Sequence, residues 1–83
     1  MKYMVLVTFD HRDEDAFNAT IPAEQAHVQK LLDESVIEGI YVALDGSRGW
    51  TVLRGETREQ IEQILPTFPL FPYMSTELIQ LFE

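Results

Sequence analysis

Leu65-Pro66-Thr67-Phe68-Pro69-Leu70-Phe71-Pro72-Tyr73-Met74 decides how the rest of the chain is read. Prolines 66, 69 and 72 each fix φ and remove a backbone donor, so the stretch is predicted to be neither helix nor central strand. Phe68, Leu70, Phe71, Tyr73 and Met74 carry too much apolar surface to leave in water. A stiff connector of this kind is pressed against its own domain or against another copy.

The elements on either side of the connector follow from their end signals. Upstream, Thr57-Arg58-Glu59-Gln60 has the pattern of a capping box, with Thr57 as N-cap and Gln60 at N3. The helix it opens runs to Leu65, buries Ile61, Ile64 and Leu65, and stops at Pro66. Downstream, Thr76–Phe82 reads as a closing strand. Before the helix, Ile40–Leu44 and Trp50–Arg54 read as strands joined through the five residues Asp45–Gly49, a hairpin turn with two glycines. A longer helix precedes the hairpin. It is expected to start at Ile21-Pro22, since proline suits a first helical turn, and to end near Glu38 with Gly39 as terminator. Val28, Leu31, Leu32, Ser35 and Val36 recur at helical spacing and form its buried stripe. Asp10–Asp15 reads as a charged loop, with Phe17 as the apolar anchor of the segment before the helix.

Residues 2–9 open the chain as a strand that is apolar on both alternating faces. Tyr3, Val5, Val7 and Phe9 lie on one side, Met4 and Leu6 on the other, the pattern of a strand covered twice. The order is therefore βαββαβ over a single domain, residues 1–83: an α+β, ferredoxin-like fold with four antiparallel strands and both helices on one face. Two helices cannot cover both sides of the first strand. A second copy packed sheet against sheet, a dimeric α/β barrel, is the expected solution. Small size points the same way, because a chain of 83 residues with no cysteine has only packing or oligomerisation to stabilise it.

Charge narrows the function classes. Fourteen acidic against six basic residues give a net charge of −8, which repels nucleic-acid phosphates and anionic lipid. The acidic surface suits solubility, or the docking of a protein partner. Met1–Val7 is too short for a membrane span and lacks a small-residue cleavage site, so a cytoplasmic protein is expected. No metal-ligand spacing occurs. The Pro66, Pro69 and Pro72 spacing imitates a polyproline ligand but lacks a flanking basic residue. Gly46-Ser47-Arg48-Gly49 lacks the lysine and following helix of a phosphate loop.

Pro69-Leu70-Phe71-Pro72-Tyr73-Met74, just before the last strand, resembles the "PLFPYM" run of the muconolactone δ-isomerase family. Pattern-level agreement extends from about Ile21 to Leu81. The resemblance implies a ferredoxin-like subunit in a dimeric α/β barrel, often in a higher ring-like oligomer, with a small-molecule cavity between sheet and helices. It also implies proton transfer on a lactone without metal or organic cofactor. In the family the hairpin region supplies tryptophan, arginine and histidine near the site. Here Gly39–Trp50 is several residues shorter and holds no histidine, which leaves Arg48 and Trp50 as the comparable residues.

Proton transfer needs a group that titrates near neutrality. His27, at the edge of the stripe on the long helix, is the catalytic candidate, with Glu24 and Glu34 placed to orient it; a surface ion pair is its bland alternative. His11, in the charged loop, is a weaker candidate. An anionic lactone wants an arginine clamp, for which Arg48, Arg54 and Arg12 are available. Tyr41, Trp50 and Tyr73 complete the substrate-binding set as pocket aromatics, although aromatic residues in so small a domain usually serve core or interface. Two functions are thus expected from the sequence: a cofactor-free isomerase-like protein acting on a small organic acid or lactone, or a non-catalytic oligomer that holds a ligand or docks a protein.

Overall fold

Strand β1 spans Lys2–Phe9, the residues expected, in a computed structural model that describes residues 1–83. It lies between β3 and β4 in a four-stranded antiparallel sheet of order β2-β3-β1-β4, with β2 at Ile37–Val42, β3 at Arg48–Arg54 and β4 at Met74–Gln80. With helices α1 (Glu14–Asp33) and α2 (Arg58–Ile64), the chain has the ferredoxin-like βαββαβ order. Tyr3, Val5 and Val7 of β1 pack with Leu53 of β3, Ile61 of α2 and Leu31 of α1 in the core. Leu53 and Ile61 are completely inaccessible. No helix is long and apolar enough to cross a membrane.

Helix α1 corrects the sequence reading at both ends. It starts at Glu14, not Ile21, because Asp13 serves as N-cap: its carboxylate accepts the Ala16 amide at 3.1 Å. Glu14 and Asp15 then sit in the first turn, where carboxylates meet the positive end of the helix dipole. The charged "loop" is the start of a helix, and Phe17 is a buried helical residue. Pro22 lies inside α1, so it costs the helix one hydrogen bond and does not mark its beginning. The stop comes early as well. Ser35 adopts φ 61°, the left-handed position expected of Gly39. The Ser35 amide bonds Leu32 O at 3.1 Å and the Val36 amide bonds Leu31 O at 2.9 Å, the paired bonds of a Schellman turn.

Ending α1 early shifts the hairpin. Strand β2 begins at Ile37 rather than Ile40, and Gly39 sits in it beside a break in register against β3. Strand β3 begins at Arg48 rather than Trp50, and Ala43–Ser47 forms the connection, with Gly46 at φ 72°. Helix α2 begins as expected, with Thr57 accepting the Gln60 amide at 3.2 Å. The return bond of the box is displaced by one residue: Gln60 Oε1 accepts the amide of Glu56 at 2.7 Å.

The proline stretch is more helical than expected. Leu65–Thr67 and Phe71–Tyr73 are single 3-10 turns, with Pro66 and Pro72 in first positions that need no amide donor. Leu65, Phe68 and Leu70 are buried, as the composition required. Strand β4 leaves directly from Met74, two residues before the expected Thr76, and Phe82 falls beyond it, fully exposed.

The helices cover one face of the sheet. On the other, Met4 of β1 faces Val52 and Ile79, and Leu6 faces Trp50 and Glu77. Met4, Leu6, Trp50 and Val52 are half-buried, while Tyr41 and Ile79 remain 68% and 44% exposed. The two-sided apolar pattern of β1 is thus present, with one of its sides open to water.

Candidate functional site

Two concavities lie on opposite faces of the sheet. The larger, about 530 Å3, opens between α1 and the β2 edge. Its walls are mainly Phe17, Ile21 and Val28 from α1, Phe9 at the end of β1, and Ile40 and Val42 from β2. It shares Phe9, Glu24, Ile40 and Val42 with a smaller inner space of about 40 Å3 that reaches Val5, Thr51 and Phe68. The size suits a small organic molecule.

Two ionisable groups line the larger cavity, Glu24 and His11. Glu24 comes from α1, one turn before Val28, and so sits in the apolar stripe itself. Its Oε1 accepts the amide of Leu70, in the proline stretch, at 2.9 Å. Burial among apolar neighbours raises its pKa above the ordinary carboxylate value, against the smaller opposing effects of the Leu70 amide and the nearby His27. The carboxyl is thereby moved toward the range where it can both take and return a proton.

His11 follows β1, and its Nε2 lies 2.9 Å from the carbonyl oxygen of Gly46 in the hairpin connection. A carbonyl only accepts, so Nε2 carries the proton and Nδ1 keeps the lone pair of the neutral ring. The imidazole centroid is 4.4 Å from that of Phe17 and 6.4 Å from that of Phe9. The β1–α1 segment is thus clasped to the hairpin at the rim of the cavity.

The second concavity is a groove of about 370 Å3 on the helix-free face, where Thr8, Arg48, Trp50, Ser75 and Glu77 meet. It is more polar and carries both a cation and a carboxylate.

The six residues singled out from the sequence are divided between these faces. Arg48 and Trp50 line the groove. Tyr41 pairs with Trp50 across β2–β3, its ring largely in water. Arg54 lies opposite Lys2 at the other end of the sheet, where it pairs with Glu38 at 3.0 Å and Glu83 at 3.8 Å. His27 and Tyr73 are on the helix side, and neither lines the large cavity. The Thr67 hydroxyl donates to Ile64 O, so it accepts from His27 Nε2, at 2.9 Å. The His27 ring meets Phe68 edge-on at 5.2 Å and fastens α1 to the first 3-10 turn. The Tyr73 ring stands edge-on to Phe17, one layer behind the cavity wall. Arg12 is spent on Asp10, 2.6 Å away at the surface.

Sequence reasoning treated Glu24 as an accessory of His27 and ranked His11 low. The missed signal was Phe17, Ile21, Glu24 and Val28, which recur at i, i+4, i+7 and i+11. Read from Asp13, that periodicity extends the apolar stripe back through Glu24 and marks a carboxylate facing the sheet.

The family model for muconolactone delta-isomerase matches residues 1–83, the whole chain. No curated protein matches it significantly.

Proposed function

Since this chain belongs to the muconolactone delta-isomerase family, we propose that it binds a small organic acid or lactone in the cavity between α1 and the sheet and isomerises it by moving a proton, with Glu24 as the acid/base group. The observation that carries this reading is a carboxyl whose pKa is raised by burial, on the wall of a mostly apolar cavity. In such an isomerisation Glu24 takes a proton from a carbon made acidic by the lactone carbonyl. The electron pair left behind delocalises through the conjugated enolate, and the same carboxyl returns the proton to a carbon further along. The Leu70 amide fixes one carboxyl oxygen, which leaves the other for the transfer. His27 acts from behind, as a charge that tunes Glu24 and as a tie to Thr67.

The helix-free face is proposed as the place where a second copy packs, as the family resemblance implies, because Met4, Leu6, Trp50, Val52 and Ile79 are only partly covered within the chain. On this proposal Tyr41, Trp50, Arg48 and Arg54 belong to that contact and its rim. A second reading puts the ligand in the groove instead, where Arg48 offers a permanently charged arginine clamp for the carboxylate.

The test is turnover of muconolactone, followed by proton NMR in D2O, with Glu24→Gln and Arg48→Gln beside the wild type. Glu24→Gln is expected to lower kcat by about 10²–10⁴, the usual contribution of a positioned acid/base group, with KM little changed. Arg48→Gln is expected to turn over normally. An active Glu24→Gln protein, or one in which only Arg48→Gln fails, overturns the assignment in favour of the groove. A wild type that binds the lactone without turnover or exchange of its acidic protons leaves a ligand-holding, non-catalytic protein.

A further inference from the structure

Resting on the reading that the α1–sheet cavity is the ligand site, we infer that His11 is the residue that receives the carboxylate of an acidic ligand there. The inventory of cations leads to it. The chain has six basic residues, and none of them lines the cavity. Arg12 is held by Asp10, Lys2 and Arg54 by Glu38, and Arg58 by Glu62. Arg48 lines the groove on the other face of the sheet, and Lys30 is exposed in the last turn of α1. His27 is turned to Thr67. An organic anion entering the cavity therefore meets one side chain able to become a cation, His11.

The geometry suits the task. Nε2–H is committed to the Gly46 carbonyl at 2.9 Å, so the second proton of the imidazolium resides on Nδ1, the nitrogen without a protein partner. Phe17 and Phe9 fix the plane of the ring, so the Nδ1–H is delivered in one direction. Asp10 is the neighbouring carboxylate that would compete for this charge. It is already engaged by Arg12, through the backbone amide at 3.0 Å and Nε at 2.6 Å, and its pKa is lowered first by that amide bond. The other ionisable group on the wall is Glu24, held toward Leu70. The class of ligand this selects is a monocarboxylic acid whose reacting end is uncharged. A second carboxylate would find no cation and would approach Glu24.

The experiment compares binding of muconolactone and of its methyl ester to the wild type and to His11→Gln by calorimetry. Glutamine reaches the Nε2 position and still donates to Gly46, so the clasp is retained while the charge is lost. The expected result is that His11→Gln weakens the acid about tenfold or more, the scale of a lost charge-assisted hydrogen bond, and leaves the ester unchanged. In the wild type, the His11 ring nitrogens should shift to imidazolium values on adding the acid and not on adding the ester. Equal weakening of acid and ester by His11→Gln, or no weakening of either, overturns the inference and leaves the cavity reading intact. A wild type that binds neither ligand overturns both.

Discussion

Removal and neutralisation of Glu24 should change stability in opposite directions. In Glu24→Ala the amide of Leu70 loses its acceptor, and Leu70 is only 5% exposed, so water cannot readily replace it. Leaving a buried donor unpaired costs about 1–3 kcal/mol. For a domain of this size each kcal/mol lowers Tm by about 4–8 °C. Glu24→Gln is different, because its amide oxygen keeps the bond to Leu70 while the charge is gone. Burial raises the folded-state pKa of Glu24 above the ordinary carboxyl value of 4.5, so the folded protein resists ionisation more than the unfolded chain does. The folded state then binds more protons than the unfolded one as pH rises from about 4.5 to the raised value, and across that window stability falls. Glu24→Gln does not suffer that loss. It should match the wild type below the window and exceed it above, by a margin that solvent keeps modest because the side chain is half-exposed. Thermal melts of the three proteins from pH 3.5 to 8 test this. A glutamine variant as unstable as the alanine one at pH 7, or a gap between glutamine and wild type that does not close on acidification, would refute the claim that burial holds this carboxyl away from its charged form. The variant that loses activity should be the more stable protein at neutral pH, the trade expected where a charged group is kept in an apolar place for its chemistry.

Two further perturbations test the fold and its open face. Leu6→Asp, in the middle of the uncovered sheet face, should weaken self-association at least tenfold by sedimentation velocity while the far-ultraviolet circular dichroism stays that of the wild type; unchanged association would place the contact elsewhere. Ser35→Gly should raise stability by about 1 kcal/mol, since a non-glycine residue holds φ 61° there, and a lower Tm would mean that the serine contributes more than its strain costs.

The fold was legible because its determinants are local and repeated. Strand β1 carries apolar residues on both of its faces, with burial alternating from Lys2 to Val7, and Thr57 and Pro66 punctuate α2 at both ends. Helix α1 was misread where two signals competed. Pro22 resembles a first-turn proline, yet a helix 20 residues long tolerates one missing hydrogen bond when Asp13 caps it and Phe17 anchors it. Gly39 resembles a terminator, but Ser35 takes the left-handed turn four residues earlier, a conformation no propensity assigns to serine. The site was less legible than the fold. Histidine and arginine attract attention by their chemistry, whereas the burial that raises the pKa of Glu24 exists only after α1 has folded against the sheet. Glu24 and Leu70 are 46 positions apart in sequence and meet only through the packing of the proline stretch.

Alternation along β1 and β3 also explains why the two concavities are physically separate. On β3, Gly49, Thr51 and Leu53 turn toward the helices, while Trp50 and Val52 turn away. A substitution at one of these positions acts on one face alone unless it moves the backbone. Gly49 is the exception in kind, because a Cβ there would stand 3.2 Å from the carbonyl oxygen of Tyr41 and 3.5 Å from the ring of Phe9. A side chain at that position would crowd the Tyr41 carbonyl of β2 and lie in van der Waals contact with Phe9 on the cavity wall. The absent side chain is what lets β2 stay close to β3 there. The connection between the faces therefore runs through the backbone of β2 and β3, with no side chain spanning the sheet. A second copy that stiffens these strands from the open side would hold the far wall of the cavity in place. The apolar surface left open on one side and the cavity kept on the other are then related: a small core can carry an unfilled space beside it when the strands that border it are braced from behind.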